Sequence, residues 1–344
     1  MEPFLIVGAG HQGLAMAGHL ALNGEKCYLW NRTKEHISSI INKGEIECQG
    51  IVSGIAKIER ASDDIREVLQ KCIMIATPSL AHRDIAKLIA PYVDSNYTII
   101  LNPGRTYGVI DFKNSLKIYG CKELPCIAET QTIVYTCRKI ADNSVYIHAL
   151  KSNIPIAGIK KEDTEKAFKA IPVCIKNRFV PVDSFMYTSL GNIGMILHCA
   201  PVLMNIGWIE SNKTEFKYYY DGITPTIALL LEKMDEERLS VAKALGYKIE
   251  SLNEWLYRTY NAKGKNLYEQ LQNNIYYRQI DAPQTINHRY IEEDVPNGLV
   301  PIESTAIFLG MKTPIISLVI DMANTVMEKD YRVLGRKYFG NKKV

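Results

Sequence analysis

The chain is short of the features that mark several large classes of protein. No apolar run of about 18 residues passes without a charge, so no membrane span is expected. No long basic block occurs, and 41 basic residues stand against 37 acidic ones for a net charge of +4. A nucleic-acid partner held on a basic face is therefore disfavoured. The eight cysteines contain no C-x-x-C pair and lie mostly in apolar segments such as Lys71-Cys72-Ile73-Met74. That usage argues against a metal site or a disulfide framework and for a reduced, cytoplasmic protein. Met1-Glu2-Pro3 runs straight into a strand-like stretch, which reads as no signal peptide. Internal repeats and low-complexity tracts are missing too. What is left is ordinary globular composition: 344 residues, 47% hydrophobic, 23% charged. At roughly 100–200 residues per domain, two domains are expected, each with its own core.

The strongest local signal lies in the first thirty residues. The apolar run Phe4-Leu5-Ile6-Val7 meets Gly8-Ala9-Gly10-His11-Gln12-Gly13, which opens an Ala/Leu-rich helix through Ala21. In such a turn the first glycine permits the sharp strand-to-helix bend and the second lets a pyrophosphate approach the backbone. The third lets helix and strand pack closely, and the phosphates rest on the helix N-terminus. Gly8, Gly10, His11, Gln12 and Gly13 are therefore candidate cofactor-binding residues. The next strand, Lys26–Trp30, ends in Asn31-Arg32-Thr33, where an NAD-reading site carries Asp or Glu. Arg32 can meet a 2′-phosphate with its planar fork, and Thr33 can add a hydroxyl and cap the following helix. NADPH is thus the expected cofactor, with NADH possible; the alternative is an Arg32 that only stacks on adenine or is solvated.

Strands at Cys72–Ala76, Thr98–Leu101 and Pro125–Ala128, with a helix from about Leu80 to Ala90, continue the alternation. This predicts an α/β Rossmann domain, a doubly wound parallel sheet, over 1–180. Thr77 and Asn102, at strand ends, are expected to line the nicotinamide half of the cofactor. From 181 to 344 the texture is helical, predicting an all-α second domain. Its segments are one long helix from Asp183 to Ile209, then Ile223–Leu245, Ser251–Tyr257, Asn266–Gln272, Val295–Leu309 and Pro314–Glu328. The basic tail from Arg332 to Val344 is expected to hang loose. Substrate is expected in the cleft between the domains.

Two stretches of the helical half carry chemistry. The first, His198-Cys199-Ala200-Pro201-Val202-Leu203-Met204-Asn205-Ile206-Gly207, sets an imidazole in an apolar helix. The second, Arg289-Tyr290-Ile291-Glu292-Glu293-Asp294-Val295-Pro296-Asn297-Gly298-Leu299-Val300-Pro301, crowds charge against a Pro-started helix. These stretches resemble the octopine/nopaline (opine) dehydrogenase family. They match its patterns H-x-A-P-x-L-x-N-x-G and R-Y-x-x-E-D-V-P-x-G-L-V-P at every fixed place. Ala128-Glu129-Thr130-Gln131-Thr132, with Cys137-Arg138 beyond, resembles the family's E-T stretch more weakly.

The resemblance implies a reductive condensation of an amino acid with an α-keto acid of pyruvate or 2-oxoglutarate type, through an imine. It implies His198 as general acid/base with Asp294 holding its tautomer, and Arg289 as a bidentate clamp on a substrate carboxylate. Glu129 is implied to meet the amine or a cationic side chain. Arg289 as an ion pair at a domain interface is the rival reading, and Glu292 and Glu293 read as a solvated face. The family also implies small-molecule substrates and leaves a homodimer open. Cys199 departs from the proline frequent at that place, and the chain is towards the short end for the family, which leaves the substrate pocket undefined. A β-hydroxyacid or glycerol-phosphate dehydrogenase shares the plan but is expected to use a lysine on the long helix, and none lies between Asp183 and Ile209. A metallophore-building opine synthase would take a larger amine, and a non-catalytic NADPH sensor would bind without turnover.

Overall fold

The computed structural model describes residues 2–211 and 215–338. The chain divides into two compact units, one ending at Ser189 and the other beginning at Leu190. In the first, eight strands form one sheet in the order Phe179–Pro181, Ile154–Gly158, Cys126–Thr130, Thr98–Leu101, Cys72–Ile75, Phe4–Val7, Cys27–Trp30, Arg60–Ser62. Pairing is parallel from Arg60–Ser62 through Cys126–Thr130. Ile154–Gly158 runs antiparallel to its neighbour Cys126–Thr130, and Phe179–Pro181 lies parallel to Ile154–Gly158. Phe4–Val7, Cys72–Ile75 and Thr98–Leu101 are buried along their whole length. A sheet covered on both faces requires such unbroken apolar runs, which is why these strands are visible in the sequence.

A second sheet was not expected. Gly54–Lys57, Glu45–Gly50, Ser144–Leu150 and Tyr135–Ala141 lie side by side in that order. Their apolar residues alternate with exposed polar ones, as in Glu45–Gly50, and the central pairing joins segments far apart in the chain. Ile46, Cys48, Ala56, Val145 and Ile147 share one core cluster with Leu14 and Ala17 of the helix His11–Leu22. A Cβ on Gly18 would overlap the Cys48 sulfur, so that helix is fitted to this sheet as well as to the parallel one.

The second unit is helical, built around Pro225–Ala244 with Leu252–Tyr260, Leu267–Gln272, Val300–Phe308 and Pro314–Met327. The long helix expected from Asp183 to Ile209 is instead four short ones: Phe185–Leu190, Gly194–Leu197, Cys199–Met204 and Ile206–Ser211. Proline explains one break. Pro201 has no N–H to offer the Leu197 carbonyl, and the Tyr218 hydroxyl donates to that carbonyl at 3.4 Å and also to the His198 carbonyl. Asn205 bridges the next break, donating from Nδ2 to the Pro201 and Gly222 carbonyls, both at 2.8 Å. The tail is not loose through Tyr338. Arg332 pairs with Glu303 and Asp321, and Arg336 is buried. Residues 339–344 lie outside the described residues. Among the described residues, no helix is long and apolar enough to cross a membrane.

Candidate active site

The glycine turn has the geometry a dinucleotide needs. Gly8 sits at φ +106°, and a Cβ on Gly13 would overlap the Gly8 carbonyl, so both places demand glycine. A Cβ on Gly10 would meet nothing within 4 Å. Gly10 is also the N-cap of His11–Leu22, whose first turn has no side-chain cap and no acidic residue. Exposed helix-end amides beside open space suit a pyrophosphate.

The flanking side chains are committed elsewhere. His11 Nδ1 accepts from the Lys139 amide at 2.7 Å, and Gln12 Nε2 donates to the Tyr135 carbonyl at 3.0 Å. For these two residues it is the backbone, not the side chain, that faces the expected ligand role. Asn31 Oδ1 accepts from the Ala9 amide at 3.1 Å and its Nδ2 donates to the Thr33 carbonyl at 2.9 Å, tying the glycine turn to the end of Cys27–Trp30. Arg32 is exposed beside it. Thr33 does not cap the next helical turn: Glu35–Ile37 begins after Lys34 and has no side-chain cap. Thr77 Oγ1 is buried without a hydrogen-bond partner, close to Gly8. Asn102 is buried, and its amide nitrogen donates back to the Ile100 carbonyl at 3.1 Å.

Glu129 is sealed, at 0% exposure. Oε2 accepts from the Val109 amide at 2.7 Å, and Oε1 accepts from the Thr188 hydroxyl at 2.6 Å and the Ser189 hydroxyl at 2.7 Å. Both oxygens are thus engaged by protein donors. The geometry is that of an internal tie.

In the helical unit the two distant motifs converge. His198 stands at the break between Gly194–Leu197 and Cys199–Met204. Its Nδ1 lies 2.7 Å from Asp294 Oδ2; the imidazole side chain is 15% exposed and the carboxylate 0%. Asp294 closes the turn after Arg289–Glu292 and leads into a π-helical turn, Val295–Leu299, an irregularity common at functional sites. A carboxylate on Nδ1 fixes the tautomer and leaves Nε2 for proton exchange.

Tyr290 was not singled out in the sequence, although it occupies a fixed place in the second motif. Its ring stacks on His198 with centroids 4.1 Å apart and planes 12° from parallel. The Arg289 guanidinium lies over the same ring at 5.2 Å. Arg289 itself is half-exposed, with Glu293 Oε2 at 3.6 Å. Glu293 is buried and Glu292 pairs with Lys329 at 2.5 Å, so these two carboxylates are not the solvated face expected of them. His288 Nδ1 accepts the Tyr290 amide at 3.3 Å and caps that turn. Burial, with the charges of Arg289 and His198, pushes His288 down to about 4. No cluster of three or more His, Cys, Asp or Glu able to hold a metal occurs among the described residues.

Comparison with known proteins bears on both units. Residues 181–327 match the family described as NAD/NADP octopine/nopaline dehydrogenase, alpha-helical domain. Residues 4–104 match the NAD-dependent glycerol-3-phosphate dehydrogenase N-terminus. An opine dehydrogenase of Arthrobacter sp. (strain 1C) is 33% identical over 338 residues, spanning 97% of this chain and 93% of that protein. The chain belongs to the opine dehydrogenase family. It is an NAD(P)-dependent oxidoreductase acting on the CH–NH group of donors. The vitopine synthase of Allorhizobium ampelinum is 24% identical over 98% of this chain and 94% of its own. Among solved structures, octopine dehydrogenase with NADH and L-arginine aligns at a TM-score of 0.74 with 16% identity, covering 95% of this chain and 90% of that one. Yersinopine dehydrogenase with NADP+ aligns at 0.76 with 13% identity, covering 98% and 93%. These opine dehydrogenase structures share the fold, a Rossmann-like parallel sheet unit followed by a helical one.

Proposed function

We propose that this opine dehydrogenase condenses an amino acid with a small α-keto acid, of pyruvate or 2-oxoglutarate type, and reduces the resulting imine to an N-(carboxyalkyl) amino acid. The observation that carries the reading is the His198–Asp294 pair, 2.7 Å apart and drawn from two motifs 96 residues distant. The reaction needs a group that takes a proton from the amine nitrogen as it adds and gives one to the former keto oxygen so that it leaves as water. His198 does this from Nε2, while Asp294 holds Nδ1 and stabilises the imidazolium. Arg289, half-exposed and held only loosely by Glu293, clamps a substrate carboxylate. The nicotinamide cofactor supplies the hydride that reduces the imine carbon. Gly8, Gly10 and Gly13 and the first-turn amides of His11–Leu22 hold its pyrophosphate, with Thr77 and Asn102 beside them. We assign Glu129 the task of anchoring this region from beneath rather than touching substrate.

NADPH is the preferred cofactor in this reading. No acidic residue stands in Asn31-Arg32-Thr33, and the exposed Arg32 is placed to meet a 2′-phosphate. The enzyme works in the cytoplasm, a location supported by eight free thiols. It forms a homodimer, a state supported by the exposed Ile307, Phe308, Leu318 and Val333 of the helical unit.

The test is cofactor oxidation with keto acids crossed against amino acids, with NADPH and then NADH. Turnover that needs both substrates and is lost in His198→Ala confirms the reaction. Oxidation by a keto acid alone would replace it with a simple reductase, the reading favoured by the N-terminal glycerol-phosphate match. Turnover only with a large multidentate amine would make it a metallophore-building enzyme; NADPH binding with no turnover would make it a sensor. Arg32→Ser is expected to weaken NADPH roughly tenfold more than NADH, the scale of one charge-assisted contact.

A further inference from the structure

The phenol ring of Tyr290 lies flat against the imidazole that the proposed reaction uses. His198 is anchored at one ring edge, where Nδ1 meets Asp294 Oδ2 at 2.7 Å. A bond at one edge does not by itself set the tilt of the imidazole plane. Tyr290 supplies that constraint, its ring parallel to His198 within 12° and the centroids 4.1 Å apart. Tyr290 is only 8% exposed and is itself held from several sides. Its amide donates to His288 Nδ1 at 3.3 Å, and the His288 ring stands edge-on to it at 4.5 Å and 88°. Tyr218 lies against the same ring at 5.2 Å, and its hydroxyl donates to the His198 carbonyl. The same neighbours thus brace both members of the stack.

The stack also bears on charge. An aromatic face carries negative potential, so a cation resting on it is stabilised, most of all where water is excluded. The His198 side chain is 15% exposed and that of Asp294 0%, so little water reaches a positive charge formed there. Asp294 meets that charge at the ring edge, and Tyr290 meets it on the face. The Arg289 guanidinium, 5.2 Å from the Tyr290 centroid, opposes it. The other titratable neighbours stay neutral. Burial, with the charges of Arg289 and His198, holds His288 down at about 4, and burial raises the Cys199 thiol and the Tyr218 hydroxyl well above their ordinary values. On Pro225–Ala244 and Pro314–Met327, which pack on Cys199–Met204, Arg238 is answered by Asp235 at 2.6 Å and Asp321 by Arg332. We propose that Tyr290 is a positioning residue for His198, its ring fixing the imidazole plane that aims Nε2 and its face stabilising the protonated form. That the protonated form serves catalysis rests on the reaction proposed above; the stack itself does not.

The test follows the titration of His198 by NMR in the free, full-length enzyme carrying isotope-labelled histidine. The resonance is identified by its loss in His198→Ala. Tyr290→Phe keeps the aromatic face and should leave the midpoint where wild type has it. Tyr290→Leu keeps bulk without the face and should lower the midpoint by roughly one pH unit, the scale of a desolvated cation–π contact. Progressively fluorinated phenylalanines at position 290 keep the shape while draining the face, so the midpoint should fall stepwise with fluorine content. That series decides the matter if the Leu variant does not fold. A midpoint that stays at the wild-type value or rises, in folded Tyr290→Leu or across the fluorinated series, overturns the proposal. Turnover is a separate arm. Where a substrate pair is found, the pH profile of kcat/KM should move with the NMR midpoint while NADPH affinity is unchanged. A profile that does not move overturns the role given to the ring. A shifted midpoint with no turnover from any pair refutes the reaction proposed above and leaves the effect of Tyr290 on His198 established.

Discussion

At the scale of single residues, the His198–Asp294 pair sets the sharpest expectations. Asp294→Asn keeps the volume but loses the charge that orients the imidazole. General acid/base help is worth roughly 10² to 10⁴ in rate, so kcat should fall by about that much while NADPH affinity stays put; a kcat within threefold of wild type would remove the pair from the mechanism. His288 offers a pH prediction with a definite sign. Its folded value lies near 4 against an ordinary 6.5. Below 6.5 the unfolded chain takes up a proton that the folded one refuses, so this group's contribution is fully present above 6.5 and lost as pH falls toward 4. Urea midpoints should therefore drop more steeply over that interval for wild type than for His288→Gln, and parallel curves would show that His288 is not held neutral. Of these residues the sequence exposed His198, Asp294 and Arg289, because each sits in an unusual motif. Tyr290 escaped, since a lone tyrosine gives no sign that its ring will lie flat on an imidazole. Glu129 was visible, but its enclosure by Val109, Thr188 and Ser189 was not, because those partners come from distant segments.

At the scale of elements, the glycine turn separates two kinds of glycine. Gly13→Ala drives a methyl into the Gly8 carbonyl, and backbone cannot yield there as a flexible side chain would. That variant should melt well below wild type or fail to fold. Gly10→Ala meets nothing within 4 Å, so it should fold normally yet bind NADPH more weakly, because the methyl occupies the space the phosphate needs. Equal NADPH affinity in Gly10→Ala and wild type would place the pyrophosphate elsewhere. The buried parallel strands were legible because both faces are covered and their apolar runs are continuous. The strands of the small sheet were not, because each is half-exposed and its partner lies far off in sequence. The segment from Asp183 to Ile209 misled for the opposite reason. Its apolar character is continuous, but Gly191, Gly194 and Pro201 divide the backbone, and Tyr218 and Asn205 satisfy the carbonyls left over.

At the scale of the whole molecule, the chain folds as two compact units, each with candidate residues of its own. The N-terminal one presents an open glycine turn at a helix N-terminus, and the helical one a shielded imidazole–carboxylate pair. The eight cysteines are all unpaired, and burial raises the thiols of Cys27, Cys72 and Cys126 to about 12. Such thiols are inert and carry no cross-link. The melting temperature should be the same with and without a reductant, and a drop on reduction would reveal a disulfide.

The amino-acid sequence alone determined the glycine turn, the buried parallel strands and the helical character of the second half. These follow from local rules: apolar periodicity, backbone freedom at glycine, and residue types that only certain chemistry requires. Tertiary structure alone decided that His198 and Asp294 meet, that Tyr290 stacks on the imidazole, and that Glu129 is closed off. Each of those depends on which distant segments pack together, and no local pattern encodes the partner a side chain will find.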